Sequence, residues 1–482
     1  MNHNKTPLWT ALQSYAKDEI TPFHTPGHKL KPGAFISLEE VLGKAFFALD
    51  PSDEISSVEF NNDFETALKQ AEGLAANLFG AQDSLFLVNG TTGGLHYLLM
   101  PTTGYVIIPR FSHQAVYSGL MLSEGREIYL PTSYDLEWAI PLPPSIEQIE
   151  ESLKGKAKQA IVLTHPTYYG TVPDLEKICN LAHKNGTMVF ADEAHGGHFA
   201  FSKRLPQTAL ECGADAVVQS THKTLGSFTQ TSMLHSSNSE WFSKIVQAKS
   251  VLQTTSPSLV FLGVLDEVRR VLASKGVDLM ERAIELADCC ATQLSQIKGV
   301  EVLPKNLQSD PTKVVFSLRE LGITGIELEF LLRKDYNIQL ELSDYYSVLA
   351  LITLGDTEES ITRLVWAIRD LVQRISYENC RPLPKFKLKI PDLPPNILGL
   401  KNAFYTDKEI IPLQKAKGRI SGSFLTPYPP GVPVIVPGEE FTSDIIEYLL
   451  WCSHINWTVR GLMEGKSVSV LKENNAFSRN LR

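Results

Sequence analysis

Short apolar runs alternate with amphipathic stretches through the first half of the chain, and this alternation predicts the fold class. Ser84–Val88, Tyr105–Ile108, Glu127–Leu130, Ala160–Leu163, Met188–Ala191 and Ala214–Val218 are brief, rich in aliphatic residues and bounded by Gly or polar clusters. Such runs suit strands of a parallel sheet buried on both faces. Between them lie stretches with helical spacing. Glu65–Phe79 carries Ala67, Leu68, Ala71, Leu74, Ala75 and Leu78 on one side, with Gly80 placed to end it. Further helices are predicted near Leu95, over His113–Leu122 and Ile146–Leu153, over Leu175–His183, which Asp174 can cap, and around Gln207–Cys212. Repeated β-α-β units require a mostly parallel sheet covered by helices on both faces, an α/β architecture.

The flanks read differently. Residues 5–17 predict a short helix with Leu8, Leu12 and Tyr15 on one side, and TPFHTPGHKLKPGAF (21–35) is too rich in Pro and Gly to continue it. After a helix over Asp278–Leu294, a smaller alternation begins. Strands over Gly299–Leu303, Val314–Leu318, Gln339–Leu342 and Ser347–Ile352, with helices near Glu327–Leu332 and over Glu359–Ile375, predict a second α+β domain. RPLPKFKLKIPDLPPN (381–396) reads as a linker, and the prolines of Gly418–Glu440 rule out regular helix there.

Composition narrows the function classes. A chain of 482 residues exceeds the size at which single cores stop growing, so two or three domains are expected. The net charge of −9, with Lys and Arg dispersed, argues against a nucleic-acid surface. Six cysteines without CxxC spacing read as reduced thiols. With no secretory-type apolar segment at the N-terminus and no apolar run near ~18 residues, no membrane association is expected and a cytoplasmic location is.

The candidate chemistry gathers where strands end. In open α/β sheets ligands bind outside the carboxyl ends of the strands. Asn89–Thr92, Arg110–His113, His165–Tyr168, Asp192–His195 and Ser220–Lys223 all fall there. The Gly- and Thr-rich turn 89–94 leads from strand to helix and presents N–H groups and hydroxyls to an anion. Taken singly, Lys223 is an ordinary surface lysine and Asp192 a helix cap. Together they supply what pyridoxal 5'-phosphate requires: a lysine amine for the aldehyde and a buried carboxylate opposite the pyridine nitrogen. His113, just past a strand end, is the candidate ring to lie over the pyridine. A different class of reading has Asp192, His195 and His198 ligating zinc for hydrolysis, which the spacing permits; it leaves Lys223 and the anion cradle without purpose, and no metal is expected.

HTPGHK, NGTT, RFSH, PTYYG, DEAHG, QSTHK, TTSPS (254–258) and PYPPGVPVIVPGE occur in the order of the motifs of the Orn/Lys/Arg decarboxylase family. The chain resembles the shorter form of that family, without a receiver-like domain ahead of HTPGHK. The resemblance spans nearly the whole sequence. It implies a fold-type-I pyridoxal phosphate-dependent large domain, a smaller α+β domain and a C-terminal α+β domain, divided as 1–60 (N-terminal arm and entrance loop), 61–295, 296–378 and 379–482. It implies a homodimer or higher homo-oligomer with active sites at subunit interfaces. By motif, Lys223 would hold the cofactor aldehyde, Asp192 its ring nitrogen, and Thr91, Thr92 and Ser220 its phosphate. His113 would stack on the ring, His222 would lie beside the reacting carbon, and His195 would complete the cofactor set. Thr255 or Ser256 would reach the neighbouring subunit's site.

Two departures stand out. Phe111 and Gln114 replace the polar and basic neighbours that relatives carry around the stacking histidine, and Gly422-Ser423 stands where many carry Ala followed by Glu or Asn. The second weakens the usual inference about substrate. The implied reaction is α-decarboxylation of a basic L-amino acid to its amine and carbon dioxide in polyamine biosynthesis, lysine or arginine favoured and ornithine third. Lys223 or His222 would return a proton to Cα. A distal cation needs an acid at low dielectric, for which Glu341, Asp344 and Glu439 are candidates. The alternatives are another fold-type-I enzyme, an aminotransferase or lyase sharing Lys223 and Asp192, and a non-catalytic regulator, against which the intact lysine and carboxylate speak.

Overall fold

The structure is a computed structural model that describes residues 1–18, 20–31, 33, 36–53, 63–305, 309–375, 381–384, 390–428, 431–454 and 457–472. The expected divisions at 60/61 and 378/379, and Pro429 and Pro430 of the PYPPG motif, lie outside the described residues.

Seven strands form the central sheet: β1 (Asp83–Leu87), β2 (Tyr105–Pro109), β3 (Arg126–Leu130), β6 (Lys158–Thr164), β7 (Met188–Asp192), β8 (Ala216–Gln219) and β9 (Ser232–Ser236). A short hairpin, β4 (Ser133–Asp135) and β5 (Ile140–Leu142), lies between β3 and β6. The spatial order is β1-β9-β8-β7-β6-β2-β3, and only β9 runs against the rest. Alternate residues of each strand enter different cores because side chains point to opposite faces. Ala160 and Val162 of β6 pack under the helices Gly90–Leu99, Gln114–Met121 and Ser239–Leu252, while Ile161 and Leu163 pack under Ile146–Leu153 and Leu175–Lys184. Burial on both faces explains why these strands read as apolar runs rather than as alternation.

Several local expectations are corrected. Gln207–Cys212 is a series of turns, not a helix. Asp174 precedes the helix Leu175–Lys184, but its side chain accepts no backbone N–H; the carboxylate holds Lys177 instead. The helix expected over Asp278–Leu294 is the second half of a 37-residue helix, Leu259–Ser295, that already packs on the central sheet. β9 has no counterpart in the sequence reading, because SMLHS mixes polar and apolar residues in a strand buried along its whole length.

The long helix leads into a four-stranded antiparallel sheet, ordered β10 (Glu301–Val302), β11 (Lys313–Ser317), β13 (Val348–Leu351) and β12 (Leu342–Ser343). The helices Gly325–Tyr336 and Glu358–Arg374 and the end of the long helix share its core. The C-terminal part carries two small antiparallel pairs, β14 (Lys408–Pro412) with β17 (Ser467–Leu471) and β15 (Thr426–Tyr428) with β16 (Thr458–Arg460). It is fastened to the central sheet at several points, among them the Glu127 carboxylate of β3, which accepts from Asn396 Nδ2 and Leu400 N–H. Leu400 enters the core beneath β2, and Glu439 forms a buried ion pair with Arg110 at 2.5 Å.

The N-terminal helix Pro7–Lys17 shows how a peripheral segment is held. Thr6 makes no side-chain cap, so its first N–H groups need another acceptor. Asp266 of the long helix supplies it: Oδ2 accepts from Leu8 N–H at 3.0 Å and Trp9 N–H at 3.3 Å. The other oxygen pairs with the fully buried Arg269, which also donates to the carbonyls of His3 and Lys5. Asp266→Ala would strand that guanidinium without its countercharge, an effect worth about 3–5 kcal/mol. Urea unfolding should show a correspondingly lower midpoint.

Candidate active site

Two neighbouring parallel strands deliver the centre. β7 ends at Asp192, which lies opposite Val218 of β8. β8 runs into Ser220 and a single helical turn, Thr221–Thr224, that carries His222 and Lys223. Asp192 is 3% exposed, and its Oδ1 accepts from the N–H of Ala194 at 3.2 Å. Lys223 Nζ sits 3.0 Å from His195 Nε2. Burial pulls the Lys223 amine below the ordinary lysine value, with Asp192 and Glu341 opposing the shift. His222 donates from Nδ1 to the Thr231 carbonyl at 2.8 Å, which leaves Nε2 free of that bond.

The anion cradle forms one strand pair away. β1 ends before Asn89, Gly90 takes a positive φ of 64°, and the helix Gly90–Leu99 begins with Thr91, Thr92 and Gly93. Thr91 Oγ1 meets Ser220 Oγ and lies 3.3 Å from Ser232 Oγ, so three elements bring three hydroxyls together. Gly94 lets this helix approach the sheet: a Cβ there would sit 2.8 Å from Leu87 Cδ1 and nearer still to Val218. His113 caps the helix Gln114–Met121, its Nδ1 accepting from Ala115 N–H, and its exposed ring is close enough to His195 to oppose protonation there.

Beneath the site a polar chain is sealed in. Glu193 is turned under the sheet, where Ala209 N–H and Gln219 Nε2 donate to it at 2.8 and 2.7 Å. Burial raises its carboxyl to about 8, so at neutral pH it is largely an uncharged acid.

Comparison with known proteins now decides the family. The Orn/Lys/Arg decarboxylase major-domain model matches residues 6–308, and the C-terminal-domain model of the same family matches 400–465. The chain belongs to the Orn/Lys/Arg decarboxylase family. It is therefore a carboxy-lyase acting on basic amino acids. It is 35% identical over 453 residues to an arginine decarboxylase of Bacillus cereus, covering 92% of this chain and 98% of that one. To an arginine decarboxylase of Bacillus subtilis it is 33% identical over 494 residues, covering 99% and 100%. Lysine decarboxylase A from Pseudomonas aeruginosa superposes with a TM-score of 0.82 at 20% identity, over 97% of this chain and 81% of that one, a likeness of fold.

The decarboxylase treats its three candidate substrate acids differently. Glu341 is exposed, accepts from Tyr168 OH at 2.6 Å, and is near enough to Lys223 and Lys313 to favour their charged forms. Asp344 is not free to face a ligand: it is buried and binds Tyr169 OH and the N–H groups of Tyr346 and Ser347. Glu439 is likewise engaged, by Arg110 and by Val436 N–H. Thr255 and Ser256 are exposed in the loop before the long helix. Asp192, His195 and His198 do not converge as ligands. His195 faces a lysine with each ring nitrogen, His198 Nε2 meets Asp310 at 3.2 Å, and among the described residues no group of three such side chains is placed to hold a metal.

Sequence reasoning missed Ser232 and Lys313, and it placed Tyr168 in a strand-end cluster without giving it a role. Ser232 opens the overlooked β9, and Lys313 belongs to the small sheet, whose docking no local pattern reveals. Tyr168 lies in PTYYG, where a motif was visible but its target was not. The close packing of Gly94 is testable: Gly94→Val should cost about 1–3 kcal/mol through overpacking, with weakened phosphate-ester binding, measured by thermal unfolding and by titration with pyridoxal phosphate.

Proposed function

We propose that this decarboxylase binds pyridoxal 5'-phosphate through Lys223 and acts by preference on L-arginine. One observation carries the reading: a half-buried lysine amine, a buried carboxylate and a hydroxyl-lined helix N-terminus meet at one sheet edge. Each matches one part of the cofactor. Lys223 suits the aldehyde, and Asp192, acceptor-only when ionised, suits a protonated ring nitrogen. Thr91, Thr92, Ser220 and Ser232 suit the phosphate, with the helix dipole adding to the attraction. When bound, the cofactor supplies a conjugated ring that takes up the electron pair released as the Cα–carboxylate bond breaks.

The remaining work falls to the protein's side chains. Lys223 must be a free amine to attack a carbonyl carbon, and its lowered proton affinity favours that form. Lys223 Nζ, or His222 Nε2 once that nitrogen also carries a proton, would return a proton to Cα. His113 offers a flat ring, and Glu341 offers an exposed carboxylate for a distal guanidinium, which it could bind by two parallel hydrogen bonds. Arginine is favoured over lysine and ornithine because the near-full-length relatives above are named arginine decarboxylases. We further infer a homo-oligomer, with the exposed loop at Thr255 and Ser256 facing a neighbouring subunit.

The decisive assay offers arginine, lysine and ornithine in competition and follows carbon dioxide and amine release; arginine should dominate. Lys223→Ala should abolish turnover and the visible chromophore together. Glu341→Gln should raise KM for arginine about tenfold or more, the worth of a lost charged hydrogen bond, with kcat changed less.

A further inference from the structure

We propose that Lys313 is a positioning residue of this site: its ammonium donates to Nδ1 of His195, holds the imidazole with its proton on Nε2, and thereby presents an N–H to the amine of Lys223. The inference rests on the reading of Lys223 as the lysine that takes the cofactor.

Lys313 opens β11 in the small sheet, yet its side chain crosses to the central one. It is 3% exposed, and its Nζ lies 3.2 Å from His195 Nδ1. On the other edge of the same ring, Nε2 lies 3.0 Å from Lys223 Nζ. Tyr168 closes one side, its ring 4.8 Å from that of His195 and 5.4 Å from Lys313 Nζ.

Hydrogen-bond inventory then limits the protonation states. An ammonium has three donors and no acceptor, whereas a neutral imidazole has one of each. A doubly protonated ring is disfavoured, since burial and the two lysines hold His195 well below its ordinary value, with His198 and His113 adding to the effect. A neutral ring can accept from one ammonium only. One lysine must therefore be a free amine that accepts from the ring N–H.

The surroundings do not separate the two, and the chemistry selects which. Burial opposes charge on both; Asp310 and Glu341 support it on Lys313, where a charged Lys223 opposes it, and Asp192 and Glu341 support it on Lys223. Burial brings Lys313 down to about 8, which leaves it mostly charged at neutral pH. Lys313 has no bond to form, whereas Lys223 must lose its proton to bond to carbon. Assigning the ammonium to Lys313 and the free amine to Lys223 satisfies every donor and acceptor around the ring. It also gives the small sheet a direct hold on the reactivity of the central one.

The test uses the full-length chain freed of cofactor. Acetic anhydride is applied across a pH series, and acetylation of Lys223 is read by peptide mass spectrometry against the exposed Lys177. In Lys313→Met the apparent pKa of Lys223 should rise by about one unit, because a like charge and a donor to its lone pair are both lost. Lys313→Arg, which keeps a charged donor, should restore the profile to within about 0.3 unit of the wild type. If the Met variant does not fold by circular dichroism, Lys313→Gln replaces it, with the same upward shift expected. A profile unchanged or shifted downward on loss of the charge overturns the role given to Lys313. Cofactor uptake, followed by visible absorbance in the wild type and in Lys223→Ala, reports separately on the underlying reading. A wild-type protein that takes up none overturns that reading, whereas normal uptake with superimposed Lys223 profiles overturns only the present one.

Discussion

The adjacency of β7 and β8 is the constraint on which the site depends. Parallel pairing sets Asp192 beside Val218, and one turn of helix beyond β8 then returns Lys223 towards the same edge. Because side chains alternate along a strand, a slip of one residue would turn Asp192 to the other face and bring the neighbouring Glu193 to the site in its place. Apolar residues packed on both faces of the sheet resist that slip. The reactive groups thus owe their geometry to aliphatic side chains that take no part in chemistry.

Buried charges fasten the outlying segments to this centre, and each is matched. Asp266 and Arg269 secure the N-terminal helix, and Arg110 and Glu439 tie the C-terminal part to the end of β2. Such pairs add little net stability, because taking both charges out of water offsets most of their attraction. What they supply is discrimination: an arrangement that separates the partners leaves a charge stranded in a medium that cannot solvate it. Glu193 meets the same demand differently, by taking up a proton.

Lys313 belongs to this pattern with a further consequence. Its ammonium sits within hydrogen-bond reach of an imidazole that itself touches the candidate cofactor lysine. Packing of the small sheet on the central one and the proton affinity of Lys223 are then physically connected. On the proposed assignment, a shift of β11 would withdraw the donor that fixes the tautomer of His195.

Much of this was legible in the residues alone. Apolar runs of four or five residues, each ending in a polar cluster, announced strands buried on both faces with their reactive groups at one edge, since few other arrangements bury such runs. Ordered motifs pointed to Lys223, Asp192, Thr91 and Ser220 for the same reason: each stands at the carboxyl end of a strand or within one turn of it. Local signals failed where partners lie far apart in sequence. β9 was missed because its polar side chains find acceptors only in the folded sheet, the turns at 207–212 because Glu193 holds Ala209 N–H from below, and the cap of the N-terminal helix because its acceptor lies more than 250 residues away. The sequence by itself determined the parallel strands of the sheet, the edge where the candidate groups collect and the family, which depend on short-range pattern and composition. Only the tertiary structure decided which acids are engaged by buried partners, which one faces the amine, and which second lysine reaches the ring between them, because those outcomes depend on desolvation and on distances between elements that no neighbouring residue encodes.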